Sequence, residues 1–296
     1  MKNKKIILNI ITIISITMAG EFGGYSIFQY NESAFELKRV YLQYTDNLSE
    51  NLFLKIRYDV GRDGDNADGK FETYLKNAYV DWEVKDLGKI SLGLIGTNSY
   101  GIQESNWGYR FIEKSPLDLN KFTNTADLGI GISKNIGNFN ISGQMLNGEG
   151  YKSESTDGDF VSYLRVVYGE RKLRKNDGYN LGLVINNASD NDDYLMGVFG
   201  GWSENNIRIG GEYNIKETTI KESLSAVYMN YKRSNKLNIF LRHDIYEIED
   251  VQGSEVTTTR LGIVINPTKG LFISPNIIID NESGDNDYKL SFMFKY

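Results

Sequence analysis

The chain has no cysteine, only three prolines and a single histidine in 296 residues. Without cysteine there is neither a disulfide scaffold nor a lipid-attached cysteine. A His/Cys metal centre lacks ligands, and the acidic run DGDNAD (63–68) lacks the spaced glutamate of a calcium loop. The one histidine, His243, stands between Arg242 and Asp244. In a strand it would face away from both, so a serine nucleophile would have no base on the side where solvent is expected. No enzymatic activity, cofactor or metal is therefore expected. Long apolar runs are missing beyond the first twenty residues, which rules out a transmembrane helix there. An excess of positive charge is missing too: the formal charge is −6, which argues against a nucleic-acid partner.

The opening MKNKKIILNIITIISITMAG places three lysines before an apolar run and small residues after it. That order predicts a secretory signal over residues 1–19. A membrane anchor fits less well, because the run is short, is broken by Asn9 and has no basic stop behind it. Loss of Lys2, Lys4 and Lys5 takes the formal charge from −6 to −9.

What the chain has in abundance is glycine (30), tyrosine (20) and phenylalanine (14). These are arranged in segments of alternating apolar and polar residues separated by Asp-, Asn- and Gly-rich turns, the pattern of strands and hairpins. Sixteen such segments can be marked, from 23–30 and 34–45 to 270–280 and 286–296. Every second connection reads as long and acidic, as in GRDGDNADGK (61–70) and DNESGDND (280–287). Those between are short, except the basic GERKLRKNDG (169–178). An even strand number with long loops on one side and short turns on the other predicts an all-β fold, a transmembrane antiparallel barrel of the outer-membrane type over residues 20–296. Tyr44, Trp82, Tyr168 and Tyr213 lie near strand ends, where an interfacial aromatic belt would sit. The final YKLSFMFKY keeps a two-residue apolar rhythm up to Tyr296, as a closing strand with one face toward lipid would.

Alternation assigns an inward basic set of Arg39, Lys55, Arg57, Lys89, Arg165, Arg208, Arg242 and Arg260, with Lys289 and Lys295 near the end. The inward acids are Asp59, Asp81, Glu83, Asp127, Glu212 and Asp244, so the lumen has a modest basic excess. Such charges either bias ion entry or pair with carboxylates to stiffen the wall; Arg57 and Asp59, two apart on one face, are candidates for pairing. The longest connection, about 99–123, is unlike the others: it places Trp107, Tyr109 and Phe111 beside Arg110, Glu113 and Lys114. It could fold inward with Trp107 and Phe111 as anchors and Arg110 and Lys114 at the narrowest point. The inward fold is the expectation; a cap outside the barrel and a contact with a neighbouring subunit are the alternatives.

The stretches FELKRVYLQYTDNLSENLFLKIRYDV, LKNAYVDWEV, LGLIGT, WGYRFIEK, NTADLGIGI and MLNGEGY resemble the phosphate-selective porin O/P family, most clearly over residues 24–170. The resemblance implies a sixteen-stranded, trimeric outer-membrane porin that passes small anions or other small solutes. Its partners would be outer-membrane lipid and the barrel-assembly machinery. Phosphate-selective members use a ladder of arginines and a lysine cluster; here the inward basic residues are dispersed among acids and no lysine cluster is matched. The alternative function is a structural or adhesive barrel with a plugged lumen.

Overall fold

The computed structural model describes residues 20–62, 69–154, 158–188 and 193–296. The expected export signal (1–19) and the acidic run at 63–68 lie outside the described residues. The first eight strands are β1 Glu21–Asn31, β2 Ala34–Ser49, β3 Leu52–Gly61, β4 Glu72–Val84, β5 Gly88–Gly96, β6 Ala126–Ile136, β7 Phe139–Leu146 and β8 Val161–Gly169. The second eight are β9 Gly178–Ala188, β10 Tyr194–Glu204, β11 Ile207–Glu217, β12 Lys221–Ser234, β13 Leu237–Ile248, β14 Val256–Thr268, β15 Leu271–Asp280 and β16 Asn286–Lys295. Two short helices, α1 Gly101–Trp107 and α2 Pro116–Leu119, interrupt the connection between β5 and β6.

Each strand pairs antiparallel with its neighbours in sequence, and β1 pairs with β16 to close the barrel, Tyr25 opposite Lys295 and Asn31 opposite Lys289. Closure leaves no edge strand, so every ladder donor and acceptor has a partner within the sheet.

Alternation then separates an outer from an inner surface. On β13, Ile239 and Leu241 are 43% and 45% exposed, while Phe240 and Arg242 between them are 2% and 0%. On β6, Leu128, Ile130 and Ile132 are exposed while Asp127 is buried. The exposed set is large and apolar because it meets hydrocarbon rather than water. His243 belongs to this outer set, its Nδ1 2.9 Å from Thr259 Oγ1.

The loop asymmetry holds with three exceptions, one of them the long β8–β9 connection among the short turns. On the side of the long connections, β1–β2 is joined through residues 32–33 and β11–β12 through 218–220, both short. Two strands expected over 34–45 and 205–215 run over Ala34–Ser49 and Ile207–Glu217.

The last residue is held at the seam. Gly24 N–H donates to the Tyr296 carbonyl (2.9 Å) and Tyr296 N–H donates to the Gly24 carbonyl (3.2 Å). Phe294 stacks on Phe28 with ring centroids 5.5 Å apart. Deleting Phe294 to Tyr296 is therefore expected to impair closure, read as loss of the fast-migrating folded band in unheated detergent gels. A truncated chain giving the same heat-modifiable band at the same yield would show that the seam does not need these residues.

Candidate functional site: the lumen and the 97–125 connection

The 97–125 connection lies against the inner face of β8 to β16 and β1. Helix α1 has no side-chain N-cap and stops at Gly108, whose φ of +81° suits glycine. A Cβ there would stand 2.5 Å from Arg208 Nη2, so the guanidinium can close over the helix end. Helix α2 starts at Ser115, whose hydroxyl accepts from Asp118 N–H (3.4 Å), with Pro116 at its first position.

Two apolar clusters fasten this segment. Trp107, fully buried, meets Tyr228 and Phe240 edge-on at 5.9 and 5.7 Å, and Phe111 and Ile112 pack in the same cluster. Ile102, Leu117 and Phe122 pack against Val184, Leu195, Phe199 and Leu224. Burial of a full aromatic side chain contributes on the order of 1.5–3 kcal/mol.

Polar groups complete the attachment. Arg208 donates Nε to the Asn106 carbonyl (2.7 Å) and Nη2 to that of Trp107 (3.2 Å), which also accepts from Asn230 Nδ2 (3.2 Å). Arg242 lies over the Trp107 ring, 5.2 Å from its centre, and donates to the Lys114 carbonyl (2.5 Å). Its other donors form a two-point bond to Asp244 (2.8 and 2.6 Å), and Arg260 donates to the same carboxylate (2.6 Å).

The expectation that Arg208, Arg242 and Arg260 line an open channel is therefore corrected. All three point inward: Arg242 and Arg260 are buried beneath the segment, bonded to the Lys114 carbonyl and to Asp244, while Arg208 holds the segment and also lines a second cavity. Glu113, expected beside the channel, instead lies with its carboxylate 3.6 Å from Arg260.

The inner face of β2 to β5 faces the segment across the lumen, with Tyr41 and Asp59 buried and basic side chains around them. Arg39 reaches Asp59 (3.5 Å), Lys89 reaches Asp81 (2.7 Å), and Lys55 lies 5.9 Å from the Tyr79 ring centre. The Arg57–Asp59 pairing suggested by their spacing does not form. Arg57 donates to Gln43 Oε1 (3.1 and 2.5 Å), while Asp59 takes Arg39, Lys76 (3.7 Å) and the Tyr151 hydroxyl (2.8 Å). Arg165, on β8, reaches the Asn98 carbonyl (3.5 Å) and Asn140 Oδ1 (3.4 Å).

Across from β2–β4, the 97–125 segment presents Arg110, paired with Glu104 and Asp118 (both 3.4 Å), and Lys114, 3.7 Å from Asp118. Between the two surfaces is a cavity of about 460 Å³ whose lining includes Arg39, Lys76, Arg110, Lys114 and Lys121 with Asp59 and Asp118. Burial pushes the Glu104 carboxyl up from its ordinary range, opposed by the field of Arg110. Burial likewise lowers the Lys114 ammonium, opposed by Asp118. Tyr109 faces the opposite side of the segment, toward a second cavity.

Strand alternation missed Lys76. The register between β3 and β4 shifts at Arg57/Tyr58, so Asn77 and Leu75 face consecutive partners and Lys76 is the extra residue of a bulge. A bulge breaks the two-residue rhythm and has no signal in the alternation itself.

The family model described as phosphate-selective porin O and P matches residues 18–238. The chain belongs to that family. The match extends well past residue 170, up to which the resemblance is clearest in the motifs. No individually curated protein matches the chain by sequence. Among solved structures, OmpF of Salmonella typhi in complex with daunomycin is 10% identical over 94% of this chain and 97% of its own, with a TM-score of 0.70. The anion-selective porin from Comamonas acidovorans is 13% identical over 94% and 98%, with a TM-score of 0.63. OmpT of Vibrio cholerae, in its trimer form, is 14% identical over 94% and 99%, with a TM-score of 0.62. At these identities the likeness is one of fold. Family and fold together make this protein a porin of the bacterial outer membrane, a diffusion channel for small solutes.

In this porin Trp107 is the residue on which the inward segment turns. Trp107→Ala removes the ring that Tyr228, Phe240 and Arg242 enclose, and is expected to cost about 3–5 kcal/mol of the segment's attachment. Hydrogen exchange should then accelerate at 101–114 while the strand amides stay protected. Unchanged protection at 101–114 would show that the arginine–carbonyl bonds suffice alone.

Proposed function

We propose that the porin favours small anions, which pass between the 97–125 segment and the inner face of β2 to β5, with the segment as the constriction. The observation that carries this reading is the 460 Å³ cavity, whose lining holds six cations, Arg39, Lys76, Arg110, Lys114, Lys121 and Lys152, against three acids, Asp59, Asp118 and Glu149. Fixed positive charge in a water-filled, low-dielectric passage raises the local concentration of anions. Lys55, Arg57 and Lys89 extend the basic surface along the same wall. With Arg208, Arg242 and Arg260 committed to holding the segment, the reading is small anions in general rather than phosphate in particular. The anion-selective porin from Comamonas and the trimer form of OmpT are consistent with such a preference and with assembly as a homotrimer in outer-membrane lipid, after export directed by residues 1–19 and insertion by the barrel-assembly machinery.

A plugged structural barrel is the second reading, favoured by the volume that the two apolar clusters occupy inside the wall. Single-channel conductance in a planar bilayer separates the two, since a plugged barrel carries no steady current. The anion reading predicts a reversal potential of anion sign in a salt gradient. It predicts that Arg57→Gln, Arg110→Gln and Lys114→Gln together shift that potential toward cations, whereas single changes do little where the charge is already paired. Deleting 104–114 should raise conductance. A potential that the triple change leaves in place would remove these groups from the ion path. Sequencing the mature N-terminus tests the export signal, and an intact Met1 would refute it.

A further inference from the structure

The connection between β8 and β9 is the exception among the short turns on the side of the termini: it is long, and GERKLRKNDG makes it basic. Instead of hanging below the wall it turns into the lumen. Leu173 is 1% exposed, and an inward glycine on β10 makes room for it: a Cβ at Gly201 would stand 2.8 Å from Leu173 Cδ1 and 3.0 Å from Asn106 Nδ2. Internal bonds brace the turn. The Glu170 carboxylate accepts from Lys172 N–H (2.7 Å) and Asn176 Nδ2 (3.0 Å), and the Lys172 carbonyl accepts from Lys175 N–H (2.7 Å). Asn180 ties it to the constriction segment: its amide donates to the Glu170 carbonyl (2.7 Å) and exchanges two bonds with Asn106 (2.9 and 3.2 Å).

Between this turn, the underside of the segment and the wall lies the second cavity, of about 320 Å³. The β10–β11 turn, residues 205 and 206, is also in its lining, which places it on the side of the termini. Tyr109, Phe111 and Phe272 supply aromatic surface, and Arg174, Lys175 and Lys232 supply cations. Among the described residues, none of those three cations has a carboxylate within 4.0 Å. Asp177 is the acid in the lining. An inorganic anion would use the cations and leave the rings idle, while a neutral aromatic would leave the cations idle. A solute that uses both has a flat apolar body and one negative end.

We propose that this chamber is a periplasmic-side subsite for an aromatic carboxylate. The carboxylate lies among Arg174, Lys175 and Lys232, and the ring lies against Phe111 and Phe272, whose own rings are 6.1 Å apart. The inference rests on the lumen being a water path, and it adds a solute class to the anion preference. Holding has to be weak, because a site on a diffusion path must release what it takes up.

Titration calorimetry on the detergent-solubilised protein tests this with benzoate, acetate and benzyl alcohol, alongside potassium chloride conductance in bilayers. Benzoate should bind at least about tenfold more tightly than either of the others. Arg174→Gln, Lys175→Gln and Lys232→Gln together should weaken benzoate on the order of tenfold, with heat-modifiable migration retained. Phe272→Leu keeps apolar volume but removes a ring, and should narrow the gap between benzoate and acetate. Benzoate added on the side of the termini should interrupt the current at lower concentration than from the other side. Equal binding of acetate and benzoate overturns the subsite, as does unchanged benzoate affinity in the triple variant. Loss of binding in Arg110→Gln/Lys114→Gln instead would move the site to the upper cavity and also overturns it. A protein that binds benzoate but passes no chloride current would sink the channel reading and leave the subsite standing. One that conducts without preferring benzoate would sink the subsite alone.

Discussion

In hydrocarbon a backbone N–H or C=O without a partner costs several kcal/mol, so a spanning sheet has to close on itself. The pairing of β1 with β16 meets that demand, and most other features follow from it. Closure divides side chains into an outer set that meets lipid and an inner set that does not. It gives the terminal Tyr296 two backbone bonds to Gly24, where an open sheet would let it fray. At sixteen strands it also encloses more volume than inward side chains can fill from the wall. The chain fills part of that volume from above with the 97–125 segment and part from below with the 170–177 turn. Asn180 of β9 bridges the two, bonded to Asn106 and to the Glu170 carbonyl.

Holding a polar-backboned loop inside a barrel has its own cost, and the Arg242–Asp244–Arg260 cluster shows how it is offset. Two guanidinium groups on one carboxylate leave a formal excess of one positive charge in a buried place, which would be unfavourable alone. Glu113, carried in by the segment, lies 3.6 Å from Arg260 and supplies the balancing negative charge. The Lys114 carbonyl takes a remaining donor of Arg242. The segment thus adds to the negative charge that Asp244 and Glu212 supply from the wall. Attachment is specified electrostatically as well as by the burial of Trp107.

The sixteen strands and the face of every basic residue assigned to the lumen were legible in the sequence, because alternation is a property of each strand alone. Partners were not legible. Arg57 and Asp59 have the same two-residue spacing as Arg242 and Asp244, which do pair, so spacing alone does not decide; the residue opposite Arg57 on the next strand is Gln43. Gln43 and Arg39 on β2 reach them first, and register between strands is not written in local pattern. Lys76 was hidden by a bulge. Leu173 was hidden in a basic turn that reads as solvent-exposed, since nothing local signals the space that Gly201 leaves for it across the lumen. Which inward arginines stay wet could not be read either, because it depends on where a distant segment comes to rest.

The same separation of surfaces explains how an acidic chain can present a basic passage. The formal charge of −6 sums acids in the long connections with cations in the lumen, yet a permeating ion does not feel that sum. At physiological ionic strength exposed charges are screened over roughly 8 Å, so carboxylates in the outer loops act little on an ion deep in the barrel. Inside, the wall excludes most counter-ions and Arg110 and Lys114 act at close range. Their effect is set by what each is paired with: Arg110 shares Glu104 and Asp118, and Lys114 shares the same Asp118. Two cations and two acids on one short segment nearly cancel, which leaves the decision to the opposite wall. There Arg39 and Lys76 share the single carboxylate of Asp59. On the anion reading proposed above, that local surplus, and not the charge of the whole chain, sets the sign of the passage.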